Sequence, residues 1–181
     1  LEHEFLIRVA HPLGDVVTTD PKTALQMAYV RNNSLHLFVL PGLICSLFLN
    51  ARSIRMDMLQ SMIALLYPFF RNEYLLHWRE DGELPAAVER IASVLEEHGL
   101  VSREDDCLHG AAIHTYASDM LAHLGQTVMP SLERFYLTIR LLVQYGSGRL
   151  DADALSDLAH HTAQRLSLLY EFNSPEFFDK V

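Results

Sequence analysis

Apolar residues return at helical spacing along almost the whole of this chain, and little besides a bundle of helices can bury such a pattern. Asp20 followed by Pro21 has the form of an N-cap and a first helical residue, so a helix is predicted to begin there. It runs into the apolar stretch Leu35 to Leu49, where Pro41-Gly42 is expected to kink or break it. Ser53 is placed to cap a second helix, whose stripe reads Leu59, Met62, Ile63, Leu66, Phe69 and Phe70, bent late by Pro68. After a polar break at Arg79 to Glu83, Val88, Ile91 and Leu95 mark a third helix that Gly99 stops. Ile113 to Leu124, Leu132 to Val143 and Leu155 to Leu169 repeat the period three more times.

One place reads as strand. Leu100-Val101, the polar turn Glu104-Asp105-Asp106 and Cys107-Leu108 predict a short β-hairpin near residues 100–109. A helix followed by a hairpin is the arrangement of a winged-helix unit. The expected fold is therefore all-α: a multi-helix bundle with one winged-helix-like hairpin, forming a single helical region over residues 1–181.

Composition narrows the function classes. With 20% charged and 50% apolar residues the chain is neither disordered nor fibrous. A net charge of −9 argues against nucleic acid as a partner, as does the acidic hairpin turn. Two cysteines, Cys45 and Cys107, are too few for a disulfide scaffold. Leu35 to Leu49 would span about 22 Å as a helix, short of the roughly 30 Å hydrocarbon core of a bilayer. Yet from Pro21 to Met56 no carboxylate occurs, where a window of that length would hold about five. Lys22, Arg31, Arg52 and Arg55 lie in this window, flanking the apolar stretch. Arg31, Arg52 and Arg55 are the candidate contacts to an anionic membrane surface or to another domain. The competing expectation is that Leu35, Leu37, Phe38, Leu40, Leu43, Ile44 and Phe48 fill a core beneath solvated arginines.

No catalytic constellation rises above background. His114 and Asp119 have a spacing that can serve a His base and its orienting Asp. However, ten His and eleven Asp in a chain of this length give about 0.6 such pairs by chance. Inside a regular helix the two side chains would also point about 140° apart. His11 and Asp15 are one residue too close for the same spacing. Cys107, His109 and His114 lack a fourth ligand and a C-x-x-C, and His160-His161 diverge on one helix. No cofactor, metal or catalytic residue is assigned.

Several longer phrases carry a resemblance. They are HPLGDV at His11 to Val16, YVRNNSLHLFVLPGLI at Tyr29 to Ile44, LYPFFRNEYLLHW at Leu66 to Trp78, and RLSLLYEFNSPEFFDK at Arg165 to Lys180. In this order they resemble the C-terminal region of the bacterial membrane glycerol-3-phosphate acyltransferases; the stretch Cys107 to Pro130 matches poorly. The resemblance implies a parent enzyme that acylates the sn-1 hydroxyl of glycerol 3-phosphate from acyl-CoA or acyl carrier protein. Its product is lysophosphatidate, the first step of phospholipid synthesis, made at the cytoplasmic face of the inner membrane. It also implies that the catalytic blocks lie upstream of the resembled region, in an acyltransferase domain of the same protein. None is recognisable here, so no active-site residue is carried over and this chain alone is expected to be inactive. The apolar Phe177-Phe178 near the end fits a piece of a longer protein. The alternative function is a winged-helix regulatory or interaction module without catalysis.

Overall fold

The computed structural model describes residues 6–79, 82–146 and 148–170. The helix start expected at Ser174-Pro175, with Phe177 and Phe178, lies outside the described residues. The chain divides into two units, Leu1–Leu37 and Phe38–Val181.

The first unit opens with a hairpin, β1 (Ile7–Val9) and β2 (Val16–Thr18), paired antiparallel as Ile7↔Thr18, Arg8↔Val17 and Val9↔Val16. His11 turns the chain between them: its carbonyl accepts from the Gly14 amide at 2.9 Å, and its Nδ1 accepts from the Leu13 amide at 3.2 Å. Helix α1 (Pro21–Leu47) then starts at the expected place. Asp20 caps it, its Oδ1 accepting from the amides of Lys22 and Thr23 at 3.0 and 3.1 Å. Hydrogen bonds from Thr23 hold this carboxyl below its ordinary range.

Helix α1 does not break at Pro41-Gly42. Proline costs one intrahelical hydrogen bond, and the helix continues through it. Gly42 and Gly125 lie where two helices cross closely, with no room for a side chain. A Cβ on Gly42 would stand 2.6 Å from Thr127 Oγ1, and one on Gly125 would stand 3.0 Å from the Ser46 backbone. The apolar stretch is mainly core. Leu35, Val39, Leu40, Leu43, Ile44, Cys45 and Phe48 are buried, whereas Leu37 and Phe38 are exposed.

The second unit continues with β3 (Ser53–Arg55), α2 (Met56–Tyr74), α3 (Glu83–Glu97), β4 (Val101–Glu104) and β5 (Cys107–Gly110). The hairpin β4–β5 was legible in the sequence; β3 was not. Ser53 pairs with His109 across the sheet instead of capping a helix, because Ile54 opposite Leu108 gains burial only as strand. The first amide of α2 is satisfied from elsewhere: Met56 N donates to the Asp106 carbonyl at 2.9 Å. The sheet order is β3–β5–β4, all antiparallel. Helix, strand, helix, helix, strand, strand, with the first strand beside the last, is the connectivity of a winged helix.

Buried Leu59, Ile63, Tyr67 and Phe70 of α2 and Leu84, Val88 and Leu95 of α3 fill its core. Gly99, at φ +68, ends α3 as the sequence suggests, and Leu100 N reaches back to the Leu95 carbonyl at 2.9 Å. Helices α4 (Tyr116–Gln126), α5 (Met129–Tyr145) and α6 (Ala152–Tyr170) follow. Leu137, Leu141 and Ala163 make a second small core between α5 and α6. Phe135 ties α5 to α2, its ring 5.3 Å edge-on from Phe70, and Tyr74 shares a 2.6 Å hydrogen bond with Ser131.

The core placement of α1 has a chemical readout. Burial pushes the Cys45 thiol up to about 12, while Cys107 is only half-buried on β5. At pH 8 a thiol reagent is therefore expected to label Cys107 and spare Cys45 until denaturant is added. Equal labelling of both in the folded chain would contradict a buried α1.

Candidate functional site

The residues expected to touch a partner come from two elements. Arg31 is exposed on α1, in the first unit. Arg52 and Arg55 belong to the second unit, at the start of the three-stranded sheet. Arg52 is exposed beside a cavity of about 260 Å³ lined by Phe48, Leu49, Ile113 and Leu121. Its carbonyl is taken by the Gly110 amide at 3.0 Å, which fixes the backbone under the side chain. Arg55, at the end of β3, is held by Asp57: Nε donates to Oδ1 at 3.1 Å and the outer nitrogen to Oδ2 at 2.6 Å. That pairing lowers the Asp57 carboxyl and raises the Arg55 guanidinium. Arg55 is thus paired within its own turn of chain, with both side chains exposed.

The winged-helix face is acidic. In a nucleic-acid reader, α3 and the β4–β5 turn would approach phosphate. Here Glu83 to Asp106 hold seven carboxylates against two arginines. One of those two, Arg103, is paired with Glu89 at 2.6 Å, while its Nε and second terminal nitrogen are buried without a hydrogen-bond partner.

His114 and Asp119 do not share one helix, so the divergence of about 140° expected of them within a helix does not apply. His114 lies before α4 in the left-handed region, at φ 63, and Asp119 lies in the helix's first turn. The helix begins at Tyr116 and not earlier, because Thr115 and Ser118 form a capping box. His114 is therefore outside the helix that the apolar period had assigned to it. Among the described residues no three His, Cys, Asp or Glu side chains come together as a metal site. Nor is any described helix long and apolar enough to cross a membrane.

The sequence reading missed one surface. Ile7, Val9 and Val16 lie together on one face of β1–β2, and all three are exposed. The signal was there in the alternating Ile7-Arg8-Val9 and the β-branched Val16-Val17-Thr18 around Pro12-Leu13-Gly14.

Comparison with known proteins decides the family. Residues 1–181 match the family described as "Glycerol-3-phosphate acyltransferase C-terminal region". The chain belongs to that family. Among curated relatives, the glycerol-3-phosphate acyltransferase of Pseudomonas putida strain GB-1 is 37% identical over 169 residues, covering 93% of this chain and 20% of its own length. The enzyme of the same name from Pseudomonas fluorescens strain ATCC BAA-477 is 34% identical over 177 residues, covering 98% of this chain and 21% of its own. That from Pseudomonas aeruginosa strain UCBPP-PA14 is 38% identical over 168 residues, covering 93% of this chain and 20% of its own. The chain thus spans about one-fifth of the length of the curated relatives it matches. No solved structure matches it.

Proposed function

We propose that this chain is the C-terminal helical region of a glycerol-3-phosphate 1-O-acyltransferase. In this reading it serves as the docking or membrane-association part of an enzyme whose chemistry lies in an upstream domain. The single observation behind this reading is the family match over the whole chain, set against relatives five times as long. The parent would transfer an acyl group from acyl-CoA or acyl carrier protein to glycerol 3-phosphate and release lysophosphatidate. It would work at the cytoplasmic face of the inner membrane. In the full-length polypeptide, His114→Ala and Asp119→Ala are then expected to leave kcat within about twofold of the parent. A loss of a thousandfold or more from either would place the chemistry in this region and overturn the reading.

Membrane association in this reading is electrostatic and superficial, because the apolar stretch of α1 is largely occupied by the core. Arg31, Arg52 and Arg55 supply the positive charge. Co-sedimentation with anionic vesicles at low salt is expected to fall about tenfold or more when all three are changed to Glu. It should be absent with neutral vesicles. Equal sedimentation of parent and variant would remove these arginines from the contact.

The winged-helix connectivity favours a second reading, a regulatory or interaction module without catalysis. The acidic α3 and hairpin turn make nucleic acid an unfit partner for it, since phosphate binding depends on cations that release counterions.

A further inference from the structure

The hairpin of the first unit carries exposed apolar surface. It pairs Ile7 with Thr18 and Val9 with Val16, so Ile7, Val9 and Val16 stand side by side on one face. These three are 51%, 48% and 49% exposed. The opposite face is mixed: exposed Val17 is paired there with Arg8, whose guanidinium reaches Asp15 at 3.9 Å. A two-stranded hairpin is marginal in water by itself and becomes stable when an apolar face packs on another layer. Three β-branched or aliphatic side chains on one face, with an ion pair elsewhere, are the surface of a strand pair meant to be half-buried.

Three occupants are conceivable, and the charge separates them. Leu1 to Asp20 hold four carboxylates and one arginine, which opposes an anionic lipid surface. The same excess opposes a second copy, which would bring two such hairpins together. The remaining occupant is the rest of the parent polypeptide. The matched relatives keep about four-fifths of their length outside the region corresponding to this chain. A tethered domain of that size meets the hairpin at a high effective concentration, so a small apolar face suffices.

We infer that the Ile7, Val9 and Val16 face of the β1–β2 hairpin packs against the upstream acyltransferase domain of the same polypeptide. This rests on the proposed function, and makes the hairpin the clasp between the helical region and the part that carries the chemistry. The helical region would be located on the enzyme by strand side chains, not by the acidic winged-helix face.

Amide hydrogen exchange on the full-length polypeptide tests this. The amides of Ile7–Val9 and Val16–Thr18 are expected to exchange about a hundredfold more slowly in the full-length protein than in this region alone. The double substitution Ile7→Asp and Val9→Asp in the full-length protein should abolish that difference and leave exchange across α2 and α3 unchanged. Equal hairpin exchange in the full-length protein and the region alone would overturn the inference. Protection that appears only with anionic vesicles, or only as protein concentration rises, would also overturn it, assigning the face to lipid or to a second copy. The proposed function fails separately. A full-length protein with a protected hairpin but no transfer to glycerol 3-phosphate sinks that reading alone, and an active enzyme with an unprotected hairpin sinks only the clasp.

Discussion

Alanine at Phe70 is expected to destabilise the fold by about 3–5 kcal/mol, the usual cost of truncating a fully buried aromatic side chain. Phe70 has no exposed surface, and its ring lies 5.3 Å edge-on from Phe135 and 6.0 Å from Tyr74. Truncation opens a cavity where α2 and α5 meet, and the surrounding helices can collapse only partly into it. Thermal unfolding followed by circular dichroism should show the midpoint lowered by on the order of 10 °C. Phe69→Ala, one residue away, is the control: Phe69 is 43% exposed and its loss should cost far less. Equal shifts for both would mean that α2 does not present the described face to the core.

Gly125→Val should be nearly as damaging, for the opposite reason. A Cβ on Gly125 would lie 3.0 Å from both Cα and N of Ser46, and backbone atoms there cannot swing aside. Overpacking of this kind costs about 1–3 kcal/mol, and the further branches of valine push it to the upper end. Gly42→Ala tests the same crossing from the other side, where Thr127 Oγ1 at 2.6 Å and Val128 Cγ1 at 2.8 Å occupy the space. Gly99→Ala separates packing from backbone strain. At Gly99 the space is open and only the φ of +68 opposes a side chain. The expected order of midpoints is therefore Gly99→Ala above Gly42→Ala and Gly125→Val. Unchanged stability in both crossing variants would mean that α1 and α4 do not approach as described.

The helices were readable because their information is local. An N-cap such as Asp20, a stop such as Gly99 and a stripe such as Leu59, Ile63 and Phe70 each act within a few turns of chain. The hairpin β4–β5 was readable for the same reason, being adjacent strands about an acidic turn. Strand β3 was not, since Ser53-Ile54-Arg55 becomes strand only by pairing with residues half the domain away. Of the kink or break expected at Pro41-Gly42 the break does not occur, and close contact with the end of α4 explains why a glycine stands there. The apolar stretch of α1 shows the same limit from the functional side. Its composition favours a core but also admits a membrane contact, and the buried positions of Val39, Leu40, Leu43 and Ile44 decide for core. The candidate arginines were readable as a charge anomaly. The pairing of Arg55 with Asp57, just beyond the carboxylate-free window, came only with the geometry.

Lysophosphatidate formation, measured side by side for the full-length polypeptide and for this region alone, bears most directly on the reading of the chain as a non-catalytic part of an acyltransferase. Both are supplied with glycerol 3-phosphate and an acyl-CoA donor. The expected result is turnover by the full-length protein and none by the region alone at any concentration. Turnover by the region alone, abolished by His114→Ala, would contradict it.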